Sequence, residues 1–138
     1  MTFLVERLTD IGRQLQHLRA LRARVTGPEA LAQDLSLHND VLFGLLSVAQ
    51  GVVDVAGELA GRAGLRFADY ASAIRALRQV PGFPVELVAD LIPLAGFRNI
   101  LIHEYVELDL GRVIEAMDRL DPVERFVRVV ADLEKKQQ

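Results

Sequence analysis

Residues 36–61 read SLHNDVLFGLLSVAQGVVDVAGELAG, and this stretch decides the fold. Leu42, Leu45, Leu46, Ala49, Val52, Val53, Ala56 and Leu59 recur at helical spacing and cover a wide face, the pattern of a helix buried between neighbours. The central core helix is expected here. Gly44, Gly51 and Gly57 follow one another at six- or seven-residue intervals, which predicts tight helix packing on this segment rather than flexibility. Asp54 and Glu58, at i and i+4, form a carboxylate pair. A metal site would need a histidine or further acids from an adjacent helix, and the sequence offers no clear supplier, so no metal is expected.

On the N-terminal side, Leu4, Leu8, Ile11, Leu15 and Leu18 step alternately by four and three, and Leu21 and Val25 continue the series. This heptad stripe predicts one long helix over residues 2–24. Arg7, Arg13, Arg19 and Arg22 share its remaining faces with Glu6 and Asp10, as on a solvated helix surface rather than an RNA track. Gly12 weakens the helix by about 1 kcal/mol relative to alanine but would let another backbone approach. His17 reads as a surface residue. Thr26-Gly27-Pro28-Glu29 ends the helix, with Gly27 expected as a left-handed cap and Pro28 at the start of a short helical segment near residues 29–33.

On the C-terminal side, residues 61–66 are expected as a loop or frayed helix end, whose glycines are no phosphate cradle because no strand precedes them. A short helix is expected over residues 67–80 with Tyr70, Ile74 and Leu77 inward, stopped by Pro81-Gly82-Phe83-Pro84. A fourth helix should run over residues 84–105, packed through Val85, Val88, Leu91, Ile92, Ala95, Ile100 and Ile102, with a kink or break at Pro93. Asp109 can cap a fifth, residues 110–135, with Val113, Met117, Leu120, Val123, Phe126 (or Val127) and Val130 inward and a bend or interruption at Pro122. No segment alternates with period two long enough for a strand, and no repeat is present. The prediction is an all-α, up-and-down helical bundle of four long helices plus one or two short ones, forming a single domain over residues 1–138.

The chain has no cysteine, which removes disulfides, thiolate metal sites and cysteine nucleophiles together. Its formal net charge of −3 argues against broad electrostatic capture of nucleic acid, so any RNA contact must be local. Fourteen of its sixteen basic residues are arginine, which suits phosphate contacts but which genomic base composition explains better. The weakly charged run 41–53 is too short to span a bilayer and the first residues lack a signal-peptide layout, so a soluble, cytoplasmic protein with no membrane partner is expected.

Chemistry is concentrated in Arg98-Asn99-Ile100-Leu101-Ile102-His103-Glu104-Tyr105, where polar groups interrupt an apolar helix in a chain with three histidines and two tyrosines. On a regular helix Arg98 and His103 lie about 140° apart, whereas Asn99 and His103 share a face. One straight helix therefore does not aim all of these groups at one spot. Either the helix distorts near His103, or a second chain completes the site.

The spacing R-N-x-x-x-H-x-Y, preceded by Ala95-Gly96-Phe97 and followed by Leu108-Asp109, resembles the HEPN superfamily and within it the HepT-like toxins of type VII toxin–antitoxin pairs. The resemblance extends over nearly the whole chain. It implies a homodimeric, metal-independent endoribonuclease without a cofactor, in which two copies of Arg98 and His103 face a shared cleft. His103 would serve acid–base transfer, since histidine ordinarily titrates near pH 6.5. Arg98 would bind the scissile phosphate of an RNA substrate, and Asn99 would orient His103 or hydrogen-bond a phosphate oxygen. The resemblance also implies a cognate MntA-like nucleotidyltransferase antitoxin that modifies Tyr105 with AMP. The alternative is a non-catalytic HEPN binding module that docks a nucleotidyltransferase or binds a nucleotide.

Overall fold

The computed structural model describes residues 2–103 and 107–136, and every regular element among them is helical. At the centre is the expected long helix, here α3 (Leu35–Arg62), flanked by α1 (Thr2–Arg22), α2 (Pro28–Gln33), α4 (Tyr70–Ala76), α5 (Val85–His103), α6 (Leu110–Met117) and α7 (Asp121–Lys136). The Asp34 carboxylate starts α3 by accepting the Leu37 N–H at 3.1 Å, satisfying one of the donors that a helix N-terminus leaves unpaired. Fourteen α3 residues from Leu37 to Ala60 are buried. By length and hydropathy α3 could cross a membrane, but 56% of its most apolar window is buried inside the bundle, and its apolarity follows from that central position.

The most extensive helix contact is between α1 and α3. All seven apolar residues of the α1 stripe and its continuation, Leu4 through Val25, are buried. Two of the three α3 glycines make this approach possible. A Cβ at Gly51 would lie 2.6 Å from Cγ1 of Ile11, and one at Gly44 would lie 2.8 Å from Cδ2 of Leu18. Gly57 instead faces the ring of Phe67 in the following loop, while Gly12 meets no neighbour within 4 Å and has no close-packing role among the described residues. Gly64, at φ +75°, takes the left-handed conformation just past the end of α3, where the Leu65 N–H reaches back to the Ala60 carbonyl at 2.9 Å.

Several local expectations are corrected. Gly27 is extended at φ 176° and precedes Pro28 as the N-cap of α2, so it is no left-handed cap. The helix expected from residue 67 begins only at Tyr70, because the Asp69 side chain accepts the Ser72 N–H at 2.7 Å and fixes the start there. A 3-10 turn (Leu77–Gln79) continues it. Ile74 and Leu77 are buried as expected, but Tyr70 is 37% exposed. On α5, Val88, Leu91 and Ala95 are buried, whereas Val85 and Ile102 are exposed. The helix continues through Pro93 without a break. Pro93 and Ala89, whose carbonyl loses its partner there, are both exposed, so water can satisfy the freed acceptor.

The interruption expected at Pro122 falls before it: residues 118–120 separate α6 from α7, and Pro122 lies in the first turn of α7. Asp109 caps α6 by accepting from the Gly111 and Arg112 N–H groups at 2.9 and 3.4 Å. Val113, Met117, Leu120, Val123, Phe126 and Val130 are all buried, with Phe83 packed at a tilt on Phe126.

Candidate functional site

The last two turns of α5 carry Arg98, Asn99 and His103. Tyr105 and Glu104 lie outside the described residues, so the geometry of the motif rests on the first three. Arg98 is half-buried and held on three sides. Its Nε donates to Oε1 of Gln50 on α3 at 2.8 Å, and its Nη1 donates to Oδ1 of Asn99 at 3.1 Å. Its Cζ lies 4.5 Å from the ring centroid of Tyr70 at the start of α4, a cation–π distance.

Gln50 is itself anchored. Its Nε2 donates to Oδ1 of Asp54, one turn further along α3, at 2.8 Å. The other carboxylate oxygen of Asp54 lies 4.0 Å from Nε of Arg7 on α1. These residues connect the motif to a groove of about 680 Å³ between α1 and α3, lined by Arg7, Asp10, Gln14, Phe43, Gln50 and Asp54 among others. Neither carboxylate of the Asp54/Glu58 pair is idle, since Glu58 accepts from Nε of Arg62 at 3.1 Å.

His103 is exposed, and among the described residues its side chain forms no hydrogen bond or ion pair. Because α5 stays helical through His103, Arg98 and His103 are not joined within the chain. Asn99 is paired with Arg98 and not with His103, so its observed contact holds the arginine rather than the histidine. The reading from sequence thus placed Arg98, Asn99 and His103 on one helix correctly but missed Gln50 and Tyr70 as site residues. Gln50 left a signal: a long amide interrupts the apolar run 41–53, four residues before Asp54. Tyr70 left none, because its ring meets Arg98 across two helices.

His17 is exposed and pairs with Asp40 of α3 at 3.3 Å. Its surface placement is as expected.

The helical bundle is shared with solved structures, among them one of a HEPN toxin. A toxin–antitoxin crystal structure with AMP-PNP superposes with a TM-score of 0.83 at 20% identity, over 96% of this chain and 99% of that one. The tri-AMPylated HEPN toxin of Shewanella oneidensis, in complex with MNT antitoxin, gives a TM-score of 0.78 at 21% identity, over 94% and 96% of the two chains. At these identities the likeness establishes the fold. No curated protein sequence matches the chain. Residues 11–130, however, match the family described as ribonuclease HepT-like, and the chain belongs to that family.

Proposed function

We propose that the chain is an endoribonuclease toxin that works without a metal, as a homodimer in the cytoplasm, and is neutralised when a cognate MntA-like nucleotidyltransferase adenylylates Tyr105. The observation that carries this reading is the anchored Arg98 on the same helix as an exposed His103, in a chain of the HepT-like family. Arg98 has two of its five N–H donors engaged, leaving three for a phosphate. In the proposed reaction one group removes the proton from a ribose 2′-hydroxyl and the 2′ oxygen bonds to phosphorus. The bond from phosphorus to the 5′ oxygen then breaks, and a second group returns a proton to that oxygen. Two copies of His103 across a two-fold axis supply the base and the acid, and the arginines stabilise the charge that builds on the phosphate. AMP on Tyr105, two residues beyond His103, would bring an anion to Arg98 and repel the RNA backbone. The AMPylated state of the similar Shewanella toxin supports this mode of control.

The net charge of −3 favours a second reading, a non-catalytic module that docks the nucleotidyltransferase or binds a nucleotide. Expression of the chain alone in a bacterium decides between them. Growth arrest is expected, with relief by Arg98→Ala or His103→Ala in variants that keep their helical circular dichroism. Co-expression with the nucleotidyltransferase should restore growth and add AMP to Tyr105 in the intact mass. Purified protein should cut RNA in the presence of EDTA. If both substitutions leave toxicity intact the catalytic assignment is wrong, and a protein that binds the partner while leaving RNA uncut would establish the second reading.

A further inference from the structure

We infer that Gln50 is the positioning residue for Arg98, held in a single amide orientation by Asp54, and that its neutrality leaves the arginine's charge available to an RNA phosphate. This rests on the reading of Arg98 as the phosphate-binding group.

An amide side chain has two orientations, exchanging its oxygen and nitrogen, and its neighbours decide between them. Here both neighbours require the same one. Asp54 is a carboxylate and only accepts, so it takes the Gln50 Nε2–H at 2.8 Å. Arg98 is a guanidinium and only donates, so it needs the Gln50 Oε1, also at 2.8 Å. Exchange would set oxygen against oxygen and N–H against N–H. Hydrogen bonds in series polarise one another, so the carboxylate also strengthens the acceptor that Gln50 offers to Arg98.

The guanidinium is thereby fixed at Nε by Gln50, at Nη1 by Asn99 and across its face by Tyr70. A free arginine side chain carries about 2 kcal/mol of rotamer entropy, and much of that loss has been met before substrate arrives. A glutamate at position 50 would hold the same nitrogen, but as an ion pair, cancelling the charge that a phosphate needs. The carboxylate in this chain is instead one residue removed, at Asp54, where Arg7 lies 4.0 Å away. Gln50 thus transmits orientation without transmitting negative charge.

The test uses the purified chain and a mixed-sequence single-stranded RNA oligonucleotide carrying a fluorophore and a quencher, with kcat, KM and thermal unfolding measured for each variant. Gln50→Met keeps the length and packing of the side chain but removes both hydrogen bonds. It should lower kcat roughly tenfold or more, as misplacement of a reacting group does, with an unfolding midpoint within a few degrees of wild type. Gln50→Glu should raise KM, because its carboxylate cancels the guanidinium charge, and should also lower kcat, because it sets a second carboxylate against Asp54 where Gln50 donates. Asp54→Asn, which removes the acceptor-only neighbour, should lower kcat less than Gln50→Met. If Gln50→Met stays within twofold of wild type while Arg98→Ala abolishes cleavage, the positioning role is overturned and the phosphate role stands. Cleavage that survives Arg98→Ala overturns both. A loss in Gln50→Met that only tracks its unfolded fraction marks Gln50 as a tie between α3 and α5 and also overturns the inference.

Discussion

At the scale of single residues, the site is an arginine that meets its partners from three different helices. Tyr70 provides a face and no hydrogen bond to Arg98, so its hydroxyl is dispensable for this contact and its ring is not. Tyr70→Phe should therefore cleave RNA like wild type. Tyr70→Ala should slow cleavage by roughly two- to fivefold, corresponding to about 0.5–1 kcal/mol for a partly exposed cation–π pair. Equal rates in the two variants, measured on the same oligonucleotide, would remove Tyr70 from the site. The contrast between Tyr70 and Arg98 also explains what could be read in advance. Arg98, Asn99 and His103 lie within six residues of one another, and their spacing is part of the motif, with Tyr105 and its flanks, that carries the resemblance to HEPN proteins. Tyr70 was expected inside because a helix starting near residue 67 would turn it inward. The Asp69 cap moves that start, and Tyr70 becomes the first residue of α4, 37% exposed and free to lie against the guanidinium.

Among the elements, α3 was the most legible and α5 the least. Apolar periodicity is dense in α3 and the glycine spacing announced a close neighbour, although nothing in it named α1 as that neighbour. In α5 the proline suggested a break, and the deciding fact, that Pro93 lies on the solvent side, is a property of the packed bundle. The glycines give a direct test of the α1–α3 contact. Gly51→Ala places a Cβ 2.6 Å from Ile11 in a buried contact and should lower unfolding free energy by about 1–3 kcal/mol, the usual range for overpacking. Gly12→Ala has open space and should raise it by about 0.5–1 kcal/mol, because alanine loses less backbone entropy in a helix. Chemical denaturation of the two variants checks both signs, and a Gly51→Ala protein as stable as wild type would mean that the two helices are less tightly opposed.

Across the whole molecule, ion pairs bind the C-terminal helices to the rest. Arg19 reaches Glu124 at 2.6 Å and Asp121 at 3.1 Å, Arg22 reaches Asp118 at 2.7 Å, Arg125 reaches Glu86, and Arg62 reaches the buried Glu134 at 2.6 Å. The hydrogen bond from Arg22 holds the Asp118 carboxyl below its ordinary value, and the one from Arg125 does the same for Glu86. Hydrogen bonds from the side chain and backbone of Ser72 lower Asp69 likewise. A carboxyl whose pKa is depressed in the folded state binds fewer protons there than when unfolded. Its stabilisation is complete above the ordinary carboxylate range and fades as pH falls through the lower folded value. The unfolding midpoint should therefore be flat with respect to these three groups from neutral pH to about pH 5, then fall below about pH 4. Because all three are exposed, Asp118→Asn should flatten that acid slope only slightly, and an acid slope steeper than wild type in this variant would contradict the assignment.

The α1–α3 contact also bears on the order in which the protein is made. Its two helices are separated only by the short α2 and lie in the first half of the chain, so the largest interface joins neighbours in sequence and closes at little loop entropy. Gln50, Asp54 and Arg7 belong to that pair, whereas Arg98 emerges from the ribosome forty-eight residues after Gln50. Gln50, Asp54 and Tyr70, which form most of the seat for the arginine, thus precede it in the chain. A nascent chain therefore presents these three residues before Arg98 and His103 are added, so the proposed site can be complete only once the last third of the chain is being made.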